Sequence, residues 1–300
     1  MSDYKFLQYE THDDGAIVRI LLDRPGARNA QNRGLLVELD EAFMRAEADD
    51  TCRVVILGGT GTMFSSGHDM GSKDAMDDYA NHPSMKINGG TRQGAEKLML
   101  QEWHYYFQNT LRWRNLRKIT IAQVHGPVYA AGLMLMWSCD LIIGADDVVF
   151  ADVVGTRLGM CGLEYFAHPW EFGARKTKEL LLTGDSIDVH EAHSLGMVSK
   201  VFPRAELETK TLDFARRIAT LPTATALMIK ESVNQTQDNQ GFFNSLQACF
   251  TLHQLNHSHW AVVHEDGFPA ARPEDGITAW KDALPVVPAE KTTVRATTPS

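Results

Sequence analysis

The first feature of this sequence that could do chemistry is made of backbone. At His125–Trp137, HGPVYAAGLMLMW, Gly126 and Pro127 punctuate the chain, and Tyr129, Ala130, Ala131 and Gly132 then open an apolar run long enough for about two helical turns. The first N–H groups of a helix lack intrahelical partners and carry the positive end of its dipole, so they can bind a negative charge that develops during a reaction. Small side chains let a ligand approach that backbone. A second such stretch is GGTGTMFSSGHDM, ending at Met70, which is rich in Gly and Ser and too irregular for a helix. Among side chains, His253, His257, His259 and His264 resemble a metal cluster, but no Cys and no clear carboxylate accompany them, so no metal is expected. GGTGTMFSSG does not fit GxGxxG, there is no GK[ST], His190–His193 is one residue too short for HExxH, and GxSxG is absent.

The elements that must position these stretches alternate. AIVRILL (Ala16–Leu22) reads as a strand ended by the turn Asp23-Arg24-Pro25-Gly26, and Asn29 or Asn32 could cap the following helix, whose stripe is Leu35, Leu39 and Phe43. RVVIL (Arg53–Leu57) is the next strand, and ITIAQV from Ile119 and DLIIGAD to Asp146 flank the small-residue helix. Asp74–Arg92 reads as a polar surface insertion, and Glu96–Leu116 as a long helix whose basic end, Arg112, Arg114, Arg117 and Lys118, is expected to be solvated. Arg175–Leu182 is a helix stopped at Gly184, and Asp188 with Glu191 forms a capping-box-like start to another closed by Gly196. After the strand MVSKVF the reading is helical: Glu206–Ala219, Thr223–Gln235, Phe242–His264 and Glu274–Leu284. Residues 1–205 thus form a strand-and-helix part, 206–284 a helical part, and 285–300 a frayed tail.

Composition narrows the function. In 300 residues, 44% hydrophobic and 22% charged content describe an ordinary globular chain, and the net charge of −9 argues against broad nucleic-acid binding. The apolar run to Trp137 is far short of the ~20 residues that a membrane span needs. Cys52, Cys139, Cys161 and Cys249 form no CxxC pair, and MSDYKFLQYE lacks a signal-peptide layout, so a reducing cytoplasm is the expectation.

LDRPGARNAQNRGLLVELDEAF, RVVILGGTGTMFSSGHDM, IAQVHGPVYAAGLMLMWSCDLIIGADDVVFAD and ELLLTGDSIDVHEAHSLGMVSKVFP, in this order over residues 15 to 203, resemble the crotonase superfamily of enoyl-CoA hydratases and isomerases. The resemblance implies an α/β fold, a spiral of ββα turns with a helical C-terminal part used in trimer or hexamer assembly, and an acyl-CoA thioester substrate without a separate cofactor. It implies that two backbone N–H groups, those of His68 and Ala131, hold the thioester carbonyl. It also places adenine against the loop near Ser66, with Gly67, Asp69, Met70 and Met134 on the substrate side and Arg24 or Arg28 near the phosphates.

The departures matter as much. Hydratases of this family carry two glutamates that move protons at both carbons of the double bond. Here the first falls on Met134 and the second on Val154 or Gly155. Substitutes lie nearby: Asp152, His68, and Glu164 with His168, whose spacing of four would put both on one helix face. In an apolar pocket the Glu164 carboxyl would be pushed up in pKa and serve as an acid, with His168 as its orienting partner. An enoyl-CoA hydratase-like reaction is the leading expectation; a decarboxylase or isomerase of the superfamily, or a non-catalytic acyl-CoA-binding protein, is the alternative.

Overall fold

Val54–Gly59 is buried at its first five positions and Ile17–Leu22 at all six, the pattern of strands whose sheet is covered on both faces. In the computed structural model, which describes residues 4–81, 86 and 88–277, Leu7–His12 (β1) pairs antiparallel with Ile17–Leu22 (β2). The helix Arg33–Ala48 (α1) follows, capped by Asn32, whose side chain accepts from the Leu35 N–H at 3.0 Å. Its Leu35, Leu39 and Phe43 are fully buried, so the sequence stripe is the core face.

Val54–Gly59 (β3) runs parallel to β2. Lys73–Asn81 (α2) opens the stretch Asp74–Arg92 expected to be a polar surface insertion; residues 82–85 and 87 of that stretch lie outside the described residues. Gly94–Glu102 (α3) continues through a π-helical turn, Trp103–Gln108, into Asn109–Arg114 (α4). The basic end of this rod is solvated only in part: Arg117 is exposed and Arg112 half-buried. Arg114 and Lys118 are buried, with Lys118 Nζ donating to the Asp49 and Cys52 carbonyls and Arg114 reaching Asp238, because the segment is an internal tie rather than a surface terminus.

Next come Ile119–Val124 (β4), Pro127–Tyr129 (β5) and Ala131–Trp137 (α5), then Leu141–Ala145 (β6), Val149–Ala151 (β7) and Val154–Leu158 (α6). After His168–Phe172 (α7) and Ala174–Thr183 (α8), Ile187–Asp188 (β8) leads into Val189–Ser194 (α9), capped by the Asp188 carboxylate, and Lys200–Phe202 (β9). One sheet has the order β1-β2-β3-β4-β6-β9 and is parallel except at β1; the other has β5-β7-β8. Single bridges Ser65–Val128 and Gln31–His68 carry the second sheet on toward earlier turns of the chain. Each turn therefore gives one strand to the large sheet, an extended piece to the small one, and a helix. This is the expected ββα spiral.

Leu207–Ala219 (α10), Thr223–Asn239 (α11) and Phe242–Val263 (α12) complete the chain. Phe242 and Phe250 are 4% exposed, within this chain's own core. The helix expected at Glu274–Leu284 is represented by a 3₁₀ turn, Pro273–Asp275; residues 278–300, including the expected frayed tail, lie outside the described residues. No helix among the described residues is long and apolar enough to cross a membrane.

Candidate active site

The two backbone stretches meet. Gly126, at φ +56°, makes a turn so close to the second stretch that a Cβ there would stand 2.2 Å from the Thr62 carbonyl oxygen. The Phe64 N–H donates to the His125 carbonyl at 2.8 Å and the Tyr129 N–H to that of Ser65 at 3.0 Å, which bolts the loop to the strand–helix turn. Gly67, at φ +95°, then passes the start of α5: a Cβ on it would lie 3.1 Å from the Ala131 nitrogen.

This packing leaves two donors free. Gln31 donates to the Gly67 carbonyl and accepts from the Asp69 N–H, so in that parallel bridge the N–H of His68 points away from Gln31. The Ala130 N–H donates to Ala151. Among the described residues neither the His68 nor the Ala131 N–H has a protein acceptor. Ala130 holds φ +47°, ψ −126°, a conformation that costs a side-chain-bearing residue about 1–3 kcal/mol, and it aims the first N–H groups of α5.

His68, Ala131, Val154 and Glu164 line one cavity of about 420 Å³, within the size range of small-molecule sites. Glu164 is 4% exposed and its oxygens stand 3.3 and 3.4 Å from His68 Nε2, while the His68 ring stacks on Tyr106 with centroids 3.8 Å apart. Burial pushes the Glu164 carboxyl up, but His68 and, more weakly, His253 outweigh it and hold the group below the usual carboxylate range. The expected upward shift is thereby reversed.

The model of the family described as enoyl-CoA hydratase/isomerase matches residues 12–262. The chain belongs to the enoyl-CoA hydratase/isomerase family. It is 61% identical over 293 residues, 96% of this chain and 92% of the other, to EchA13 of Mycobacterium tuberculosis, provisionally named an enoyl-CoA hydratase. A crystal structure of a Mycobacterium smegmatis protein, also provisionally named an enoyl-CoA hydratase, superposes with a TM-score of 0.79 at 39% identity, covering 89% of this chain and all of the other. Another relative, 28% identical over 84% of each chain, is the 4-chlorobenzoyl coenzyme A dehalogenase-2 of an Arthrobacter species.

Within this enoyl-CoA hydratase/isomerase frame the expected site residues separate into two groups. Ser66, His68, Asp69, Met70, Ala131 and Glu164 line the cavity, and Gly67 abuts Ala131. Met134, 2% exposed, packs in the core instead of forming part of the cavity wall. Asp152 and His168 pair with each other at 3.0 Å, 3% and 1% exposed, and do not line the cavity. His168 is not the partner of Glu164, because α7 starts only at His168 and Glu164 lies in the irregular segment before it; the helical spacing does not apply. Arg24 is not solvated: it is 5% exposed, its guanidinium bonded to Asp69 at 2.8 Å and to the Ala30 carbonyl, which also ties up the Asp69 carboxylate. Of the two cations expected near phosphates, Arg28 is the exposed one, and its carbonyl accepts from the Ser66 N–H.

The cavity wall beside Glu164 is not legible in the sequence. Glu102, at the end of α3, meets His253 and His257 of α12 beside Glu164. The histidines were visible as a cluster, but their carboxylate is 151 residues away in the sequence from His253, and nothing local in the chain marks it.

Proposed function

We propose that the chain is an enoyl-CoA hydratase-like enzyme that converts an acyl-CoA thioester through an enolate. The observation carrying this reading is the convergence on one cavity of two unpartnered N–H groups, at His68 and Ala131, and one carboxylate, Glu164. The thioester oxygen accepts from both N–H groups, and as charge moves onto it each preset donor contributes about 3 kcal/mol. Neither donor needs a particular side chain, which is why Ala131 serves at the helix start.

The usual glutamates of the family are replaced by Met134 and by Val154 or Gly155, none of which transfers a proton. Glu164 takes that work. Its carboxylate accepts a proton from water as the oxygen bonds to the β-carbon; the double-bond electrons move toward the thioester oxygen, forming the enolate. The enolate collapses and its α-carbon takes the proton back from Glu164, with His68 Nε2 holding the carboxyl in place. One group thus serves both carbons in succession. Arg28, on the exposed rim near Ser66, is the cation offered to the coenzyme A phosphates.

Ala131→Pro tests the donor without adding charge, at the first helical position, which tolerates proline. Crotonyl-CoA hydration should fall at least about 100-fold in kcat in a folded variant. Wild-type kcat in that variant would overturn the reading.

A further inference from the structure

His253 and His257 are one helical turn apart on α12, and both rings are oriented by backbone. His253 Nδ1 lies 2.8 Å from the Gly162 carbonyl oxygen and His257 Nδ1 lies 2.6 Å from that of Pro269. A carbonyl only accepts, so both Nδ1 atoms carry hydrogen. In neutral rings both Nε2 atoms then present lone pairs, and these two atoms face each other at 3.0 Å. Glu102 completes the arrangement, its oxygens 3.6 Å from His253 Nε2 and 3.4 Å from His257 Nε2. Two lone pairs and a carboxylate, mostly buried, converge on one point and repel unless a positive charge sits among them.

We propose that Glu102, His253 and His257 bind a divalent transition-metal cation, of the zinc, cobalt or iron(II) class, at the cavity wall beside Glu164. Ligands about 2.1 Å from a metal at cis or tetrahedral angles stand roughly 3.0–3.4 Å apart, close to the spacing found here. The three ligand atoms all lie within 4.8 Å of one another. Imidazole and carboxylate suit such cations, and an Nδ1–H donated to a carbonyl is the usual support of an Nε2 ligand. The carboxylate is supported too: Gln254 Nε2 donates to Glu102 Oε2 at 2.6 Å. All three residues border the cavity, so three protein ligands leave coordination positions open toward it. The Glu164 carboxylate, 3.7 Å from His253 Nε2, is the nearest further anion.

The measurement uses the full-length protein stripped with a chelator, then given one equivalent of Co²⁺ or Zn²⁺ and passed through a desalting column. The expected result is one retained equivalent by elemental analysis, with a visible cobalt absorption stronger than that of the aqueous ion. Glu102→Gln and His257→Gln should each weaken retention by more than tenfold, whereas His259→Gln, on an exposed position of the same helix, should retain the ion as wild type does. Wild-type protein that retains no ion, or His259→Gln losing it equally, would overturn the site; a proton shared by the two histidines would then be the positive charge. No substrate enters this experiment, so its failure is distinct from failure of the hydration reading.

Discussion

Asp152 and His168, separate candidates for proton transfer in the sequence, pair with each other in the structure, and burial assigns them to stability. His168 sits among Trp137, Phe166 and Phe172, with ring centroids 4.8, 4.7 and 6.3 Å away, and Asp152 spends its second oxygen on the Val154 N–H that starts α6. Asp152→Asn keeps the shape but loses an acceptor, and should lower unfolding free energy by about 1–3 kcal/mol while kcat in the folded fraction stays within a few-fold of wild type. Denaturant unfolding alongside kinetics checks this. The identities of Glu164 and His68 as candidates were legible in the sequence; their pairing was not. Helical spacing pointed Glu164 toward His168, whereas the chain reaches a new helix start only at His168, with Pro169 in its first turn, and Glu164 turns instead to a loop residue 96 positions earlier.

At the scale of elements, the β4–β5–α5 turn was readable because its constraints are local: Gly126 and Pro127 interrupt an apolar run and small residues follow. The rod from α3 to α4 was readable only as a helix. Its π turn at Trp103–Gln108 has no composition signal, although it follows Glu102 directly and carries the Tyr106 that stacks on the His68 ring, and such turns often mark functional sites. The central turn also carries a pH liability. Burial, and then Arg204, push the His125 imidazole from 6.5 down to about 4, against a smaller opposing pull from Asp147. The unfolded chain therefore takes up this proton first as pH falls, so stability is complete above pH 6.5 and is lost between about 6.5 and 4. From pH 7.5 to 5 the loss from this residue should be about 2 kcal/mol. His125→Asn should flatten the urea-unfolding profile by that amount; an unchanged profile would assign the pH dependence elsewhere.

For the whole molecule, the ββα spiral was legible through the family resemblance that the ordered motifs carry, and the structure builds each turn from a strand, an extended piece and a helix. The partition of the helical end was not. Phe242 and Phe250 serve this chain's core, while Phe243 and several aliphatic side chains are left outside: Val262 is 86% exposed, Met228 68%, Leu255 63% and Leu252 56%. Scattered over α11 and α12, these are the surface that a proposed trimer would cover. Light scattering should give three or six times the 33.4 kDa chain mass at micromolar concentration, and a monomer would refute the assembly. The central claim, an enolate held by the His68 and Ala131 N–H groups with Glu164 moving the proton, is tested most directly by deuterium exchange at the α-carbon of butyryl-CoA in D₂O, followed by proton NMR. This substrate cannot be hydrated, so exchange reports enolate formation alone. Wild type should incorporate deuterium well above the uncatalysed rate and Glu164→Gln at least about 100-fold more slowly; no enzymic exchange in wild type, or an equal rate in Glu164→Gln, would contradict it.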